Sequence, residues 1–221
     1  MSLLDARLQM VLSLVPAGSV LLDIGTDHCR LPAEGLLSGR LSGAFAADLR
    51  PGPLAAARRQ LAALGLEQKI PLYLSNGLQS IPQAVLEKVQ VICIAGMGGE
   101  LISMIMNDAP AINALWVLQP MSAVYELLDT LAEKGYEVRQ GALARDGDKF
   151  YRAFAVSSSG VPYRPDYFGM LQNDPLYSPY LLKEEHRILA ALHGLQSARS
   201  PDAGRILQAQ ALLGAIRKAK Q

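Results

Sequence analysis

Asp23, Asp27 and His28 crowd one turn of the chain, Val20-Leu21-Leu22-Asp23-Ile24-Gly25-Thr26-Asp27-His28, where an apolar run stops at Gly25 and polar side chains follow. An apolar run bounded by glycine reads as a buried parallel strand, and Pro32 suits the first turn of the helix after it. A strand feeding such a turn and then a helix presents free backbone N–H groups and the positive helix end at the carboxyl edge of a sheet, where doubly wound folds hold their ligands. With a single glycine, this is not the G-x-G-x-x-G turn that lets a backbone press against a pyrophosphate. Two carboxylates would repel a pyrophosphate. They suit an ammonium or sulfonium group, such as that of S-adenosylmethionine. Asp23, Gly25, Thr26 and His28 are therefore expected to contact such a cofactor, His28 as a turn-stabilising or cofactor-carboxylate contact rather than as a base.

Three more strand ends are expected at the same crevice. Gly43-Ala44-Phe45-Ala46-Ala47-Asp48 is a small apolar strand whose acid falls 25 residues after Asp23. In a β-α-β unit Asp48 then sits at the neighbouring carboxyl end, positioned to accept from two ribose hydroxyls. Ile70-Pro71-Leu72-Tyr73-Leu74 closes on Ser75-Asn76-Gly77, so Asn76 and Gly77 could border an adenine edge. Val91-Ile92-Cys93-Ile94-Ala95 runs into Gly96-Met97-Gly98-Gly99, whose glycines would let a substrate base approach the backbone while Met97 forms an apolar wall.

The elements that must position these residues alternate between strand and helix. An amphipathic opening helix (Leu4, Leu8, Val11, Leu12), a helix over residues 53–64 stopped by Gly65, a strand Trp116-Val117-Leu118 and a helix over residues 124–134 stopped by Gly135 complete a parallel α/β pattern. Residues 136–144 and 150–156 read instead as two strands joined by Asp146-Gly147-Asp148, an antiparallel hairpin. Ser157-Ser158-Ser159-Gly160 reads as a linker and residues 162–179 as a Pro- and Tyr-rich connector. Leu181, Ile188, Leu192 and Leu195, then Ile206, Leu213 and Ile216, repeat at roughly heptad spacing as two helices of a C-terminal hairpin. Two domains are expected, residues 1–157 for the crevice and residues 158–221 for linker and hairpin.

Of the 221 residues, 50% are apolar and 19% charged, enough to bury one good core plus a small appendage. No run reaches the ~18 apolar residues of a membrane span, and no signal peptide is evident, so a cytoplasmic protein without a membrane partner is expected. Cys29 and Cys93 have no C-x-x-C or histidine spacing and read as reduced thiols, with no metal expected. The net charge of +1 does not announce nucleic acid, but it hides local clusters: Arg50, Arg58 and Arg59; Arg139, Arg145, Lys149 and Arg152; Arg217, Lys218 and Lys220. Whether any cluster shares a face is open from sequence, as is the oligomeric state.

Asp23-Ile24-Gly25-Thr26-Asp27-His28-x-x-Leu31-Pro32, Ala95-Gly96-Met97-Gly98-Gly99, Leu118-Gln119-Pro120 and Asp146-Gly147-Asp148-Lys149-x-Tyr151, in this order, resemble the bacterial tRNA (adenine(22)-N1)-methyltransferase family. The resemblance runs from about Asp5 through the C-terminal helices. It implies a Rossmann-like class I methyltransferase fold, with a mostly parallel seven-stranded sheet ending in an antiparallel hairpin and a C-terminal helical hairpin. It further implies S-adenosyl-L-methionine as cofactor, tRNA as partner, and methyl transfer to N1 of an adenine in the D-arm. On that reading Asp23, Gly25, Thr26, His28, Asp48, Asn76, Gly77, Ala95, Gly96 and Met97 face the cofactor. Gln119, beside Pro120, and the backbone of Ala95 to Met97 orient the base, and Asp27 accepts from its exocyclic amine or stabilises the cationic product. The chain departs from the family pattern at Asn76 (usually Asp), at Met121 (usually Asn) and at Asp48 (usually Glu). A small-molecule methyltransferase would share the cofactor half, and an RNA-binding protein with a residual pocket would keep the fold without the chemistry.

Overall fold

The computed structural model describes residues 2–158, 160–162, 164–198 and 200–221. Ser159, in the expected linker, and Tyr163, in the expected connector, lie outside the described residues.

Asp5 starts the first helix, α1 (Ala6–Ser13), by accepting a hydrogen bond from Leu8 N at 2.8 Å, as a helix-capping carboxylate should. Strand and helix then alternate through β1 (Ser19–Ile24), α2 (Arg30–Leu37), β2 (Leu41–Asp48), α3 (Pro51–Ala63), β3 (Leu72–Leu74), α4 (Gln83–Leu86), β4 (Val91–Gly98), α5 (Gly99–Asn107), β5 (Leu115–Ser122) and α6 (Val124–Glu133). The hairpin β6 (Tyr136–Asp146) and β7 (Lys149–Ser158) closes the sheet, and α7 (Tyr177–Gln196) and α8 (Ala203–Ala219) follow a short 3-10 turn. Helix α3 starts two residues earlier than the periodicity predicts, because Pro51 fits the first helical turn as well as Pro53 does. Strand β3 is shorter than predicted, because Pro71 has no N–H to donate to a ladder.

Among the described residues the sheet has seven strands in the order β3-β2-β1-β4-β5-β7-β6. β1 to β5 pair in parallel, and β7 runs antiparallel to both β5 and β6. The order reverses at β1, between β2 and β4, and this reversal opens a ligand crevice at the strands' carboxyl ends. Strand side chains alternate between two layers. Leu21, Cys93, Val117 and Ala155 join one core with Val11 and Val15 near α1 and with Ala33 and Leu61 of α2 and α3. Leu22, Ile92, Trp116 and Phe154, their sequence neighbours, point to the opposite layer and are equally buried.

The chain divides into two compact units, Met1–Pro165 and Asp166–Gln221. In the second, six residues join α7 to α8 and Glu185, in the first half of α7, pairs with Lys220 just beyond the end of α8, so the two helices run antiparallel.

Where β4 and β5 end, their turns press together. A Cβ on Gly99 would stand 2.3 Å from the Ala123 carbonyl oxygen, which is backbone and cannot step aside. Gly99→Ala is therefore expected to destabilise the protein by about 3 kcal/mol. Gly214→Ala, in the interior of α8 with open space around it, should add about 1 kcal/mol. Urea unfolding of the two variants checks both signs.

Candidate functional site

The crevice is built on the turn after β1. Gly25 turns the chain with φ +76°, and the N–H groups of Gly25 and Thr26 both donate to the Ala47 carbonyl, at 2.8 and 3.0 Å. Two donors that the sequence reading leaves open for a ligand thus tie β1 to β2. His28 and Cys29 follow in the left-handed region (φ 58° and 54°), and Cys29 begins α2 with its side chain fully buried. Asp27 projects outward with its side chain 83% exposed, 3.4 Å from His28 Nε2.

Asp23 lies beneath this turn, and burial raises its pKa from 3.8 to about 6. The neighbouring Asp48 pushes the same way, while Thr26 opposes the shift. The Thr26 hydroxyl is itself buried and has no hydrogen-bond partner in good geometry among the described residues. Asp48, at the end of β2, is buried; its Oδ1 accepts from Arg50 N at 2.8 Å and lies 3.7 Å from Arg50 Nε, and a carboxylate has acceptor capacity beyond that. Two buried acids and an unpartnered hydroxyl beside a glycine turn fit a ligand carrying a positive centre and hydroxyl groups.

Asn76 is exposed and donates to Gln79 Oε1 at 3.3 Å, while Gly77, buried at φ 54°, packs on Ile105. Both border a small cleft of about 50 Å³, open to solvent and walled by Leu101, Met104 and Ile105.

The Met97 side chain stands over the first turn. A Cβ on Gly25 would fall 1.9 Å from the Met97 terminal methyl, so glycine at 25 is what admits that side chain. Two expectations at this edge need correction. Gly98 and Gly99 face protein rather than open crevice: a Cβ on Gly98 would stand 3.1 Å from the Ser122 hydroxyl, and one on Gly99 would strike the Ala123 backbone, so packing requires glycine at 99. Gln119 is not placed to touch a base directly, because its side chain has no exposure. Its Oε1 accepts from Arg7 Nη1 at 2.8 Å and from Gly96 N at 3.1 Å, and its Nε2 donates to the Pro120 carbonyl at 3.0 Å. Pro120 is buried beside Met97 in the β4–β5 register, and Met121 is exposed. Ala95 is half-buried at the same strand end.

Arg7 is the residue that sequence reasoning misses here. Its guanidinium reaches from α1 to Gln119 and lies 3.5 Å from where a Gly96 Cβ would stand. A signal was present: Arg7 is three residues after Leu4 and four before Val11, on the apolar stripe of its helix.

The cation clusters separate. Arg139 pairs with Glu137 at 2.9 Å and donates to Ser157 Oγ, Arg152 is buried over the Tyr125 ring at 4.8 Å, and Arg145 and Lys149 stand exposed at the hairpin tip. Cys29 and Cys93 are buried thiols, Cys29 pushed up to about 12 and Cys93 also well above its ordinary value by burial, far from thiolate reactivity. Among the described residues no group of three or more His, Cys, Asp or Glu could hold a metal ion, and no helix is long and apolar enough to cross a membrane.

A six-to-one sheet whose single reversed strand lies next to the edge, with an acid-lined crevice at its switch point, defines a Rossmann-like methyltransferase domain, and residues 4–154 match the methyltransferase-domain family model. The chain is 30% identical to the tRNA (adenine(22)-N(1))-methyltransferase of Bacillus subtilis (strain 168), over 84% of its own length and 77% of that protein's. It belongs to the tRNA (adenine(22)-N(1))-methyltransferase family. A Streptococcus pneumoniae protein assigned to that activity and solved in complex with S-adenosyl-L-methionine superposes with a TM-score of 0.81 at 27% identity, covering 99% of this chain and 100% of its own. The Bacillus subtilis m1A22 tRNA methyltransferase structure shares the fold, with a TM-score of 0.79 at 23% identity over 99% of both chains.

The raised pKa of Asp23 has a definite sign in stability. The folded state holds the proton more tightly than the unfolded chain, so the acid's contribution is favourable at low pH and is lost as pH rises from about 4 through about 6. Asp23→Asn removes the buried charge. Its stability relative to the parent should therefore climb between pH 4.5 and pH 7.5, by up to about 3 kcal/mol. Thermal melts at the two pH values check this; an equal offset at both would remove Asp23 from the account.

Proposed function

We propose that this protein transfers the methyl group of S-adenosyl-L-methionine to N1 of adenosine 22 in the D-arm of tRNA. The observation that carries the reading is the buried pair Asp23 and Asp48 around the Gly25–Thr26 turn, in a chain of this family. When bound, the cofactor supplies a methyl carbon activated by its sulfonium. Asp48 accepts from the ribose hydroxyls, and Asn76 and Gly77 border the adenine. Asp23, Gly25, Thr26 and His28 hold the amino-acid end, with the Asp23 carboxylate opposing its positive charge. Ala95, Gly96 and Met97 wall the crevice on the substrate side.

Adenine N1 carries an in-plane lone pair and no proton, so the protein needs alignment rather than a general base. Asp27, exposed at the rim, accepts from the exocyclic amine and offsets charge on the cationic product. Gln119 acts from below as a positioning residue: it fixes the Gly96 N–H and the Pro120 carbonyl, and thereby the two turns that flank the base. Met121 offers the base a polarizable apolar surface. A base within a stem exposes N1 only when unpaired, so the target must be drawn out of its stack. Residues 158–221 provide a second grip on the folded RNA, and tRNA as substrate makes the cytoplasm the working compartment.

The direct test is nucleoside mass spectrometry of unmodified tRNA incubated with the protein and labelled cofactor; N1-methyladenosine at position 22 is expected, and its absence overturns the reading. Within it, Asp48→Ala should weaken cofactor binding by about 1–3 kcal/mol in calorimetry. Gln119→Ala should slow single-turnover methylation far more than it weakens cofactor binding, whereas Met121→Asn should be neutral or faster.

A further inference from the structure

The ladder between β5 and β7 stops at Leu118↔Phe154, although β5 continues to Ser122 and β7 begins at Lys149. Past that pair β5 keeps only its partnership with β4, through Met97↔Pro120 and Gly98↔Ser122. Residues 149–153 go on with β6 alone as a two-stranded ribbon, from Ala142↔Ala153 to Asp146↔Lys149. Because β5 and β7 are antiparallel, the ribbon grows toward the carboxyl edge of β5. Five residues at ~3.4 Å each carry its tip ~17 Å past the last shared pair, on the edge that holds Asp23, Asp48 and Gly96.

The ribbon is anchored and its tip is ordered by its own side chains. Ala142, Ala144, Tyr151 and Ala153 pack into the core that contains Val11 and Leu12 of α1. At the tip, Arg145 Nε donates to the Gly147 carbonyl at 2.8 Å, and its guanidinium lies over the Phe150 ring, 5.5 Å from the centroid. Arg145 Nη2 stands 3.8 Å from Asp148, too long for a hydrogen bond, so this ion pair does not saturate the fork. Lys149 is exposed beside it and Phe150 is half-exposed. Asp146 and Asp148 leave the tip with no net charge, which weakens indiscriminate attraction to any polyanion and leaves short-range contacts to decide.

We propose that this tip is an RNA grip next to the reacting base: Arg145 and Lys149 take phosphates of the strand flanking the target nucleotide, and the Arg145–Phe150 stack supports an adjacent unstacked base. A rigid guanidinium fork held on an aromatic face is suited to phosphate and base together, and an unpaired segment is the form of RNA that exposes both. The inference rests on the tRNA methyltransferase reading.

The experiment compares the intact protein with its Arg145→Ala/Lys149→Ala variant, using unmodified tRNA. The variant should raise KM for tRNA about 10-fold and lower the slope of log affinity against log salt by about 1.4, corresponding to two single-strand phosphate contacts. Cofactor affinity and the single-turnover rate at saturating tRNA should stay within about 2-fold. Lys149→Glu alone should move KM and slope in the same direction. The charge-matched Arg58→Ala/Arg59→Ala variant on α3 should move neither. Unchanged KM and salt slope at the tip, or equal changes in the α3 variant, would overturn the grip while leaving the methyltransferase reading in place. If the parent makes no methyladenosine, that reading fails by itself, and fluorescence anisotropy with the same tRNA judges the grip: binding lost in the tip variant upholds it, and no binding by the parent removes it.

Discussion

A primary amide with no solvent exposure must find all its hydrogen-bond partners inside the protein, and Gln119 finds them on three separate elements. Its oxygen joins Arg7 of α1 to the backbone of Gly96 at the end of β4, and its nitrogen holds the Pro120 carbonyl at the end of β5. Because the oxygen already has two donors, the amide has one satisfactory orientation. The turns on either side of the crevice are therefore set by one side chain. Arg7 adds a charge-assisted bond, stronger than a neutral one, and it restricts α1 as much as it restricts Gln119.

Asp23 shows the opposite economy. It is buried where a carboxylate is unfavourable, beside a second buried carboxylate, and Thr26 offsets part of that cost. A fold selected for stability alone would place an apolar or amide side chain there. The acid makes sense as a group whose electrostatic cost is offset when a positive ligand arrives, so the same desolvation that weakens the free protein strengthens its hold on that ligand. The left-handed backbone at His28 and Cys29 belongs to the same pattern: local strain is held in place by the burial of Cys29 and the packing of α2.

What could be read from the sequence was what depends on short spacing. The strand ending at Asp23, the glycine turn, the acid ending β2 and the hairpin around Gly147 are local signals, and each forms where composition places it. The roles of Gln119, Gly98 and Gly99 were not legible, because each is defined by a neighbour from another strand end or, for Arg7, by a partner 112 residues away. Arg139, Arg145, Lys149 and Arg152 form one cluster in the sequence and three environments in space. Residues 139 and 152 are drawn to Glu137 and Tyr125, and only the tip residues stay exposed. Charge counts cannot see that partition; pairing register can.

The packing of α1 against β6 has a consequence in time. The first helix of the chain leans on a hairpin that begins some 120 residues later, whereas β1, β2, β3 and β4 are nearly consecutive. At synthesis rates of about 5–20 residues per second, the elements that hold Asp23, Asp48 and Asn76 leave the ribosome on the order of ten seconds before the hairpin is complete. Through that interval α1 can pack on β1 and α2 but lacks β6 and β7, and the contact from Arg7 to Gln119 is the kind of distant closure that forms late. The crevice thus acquires the strand ends at Asp23 and Asp48 first and its last fixed wall at the end of synthesis.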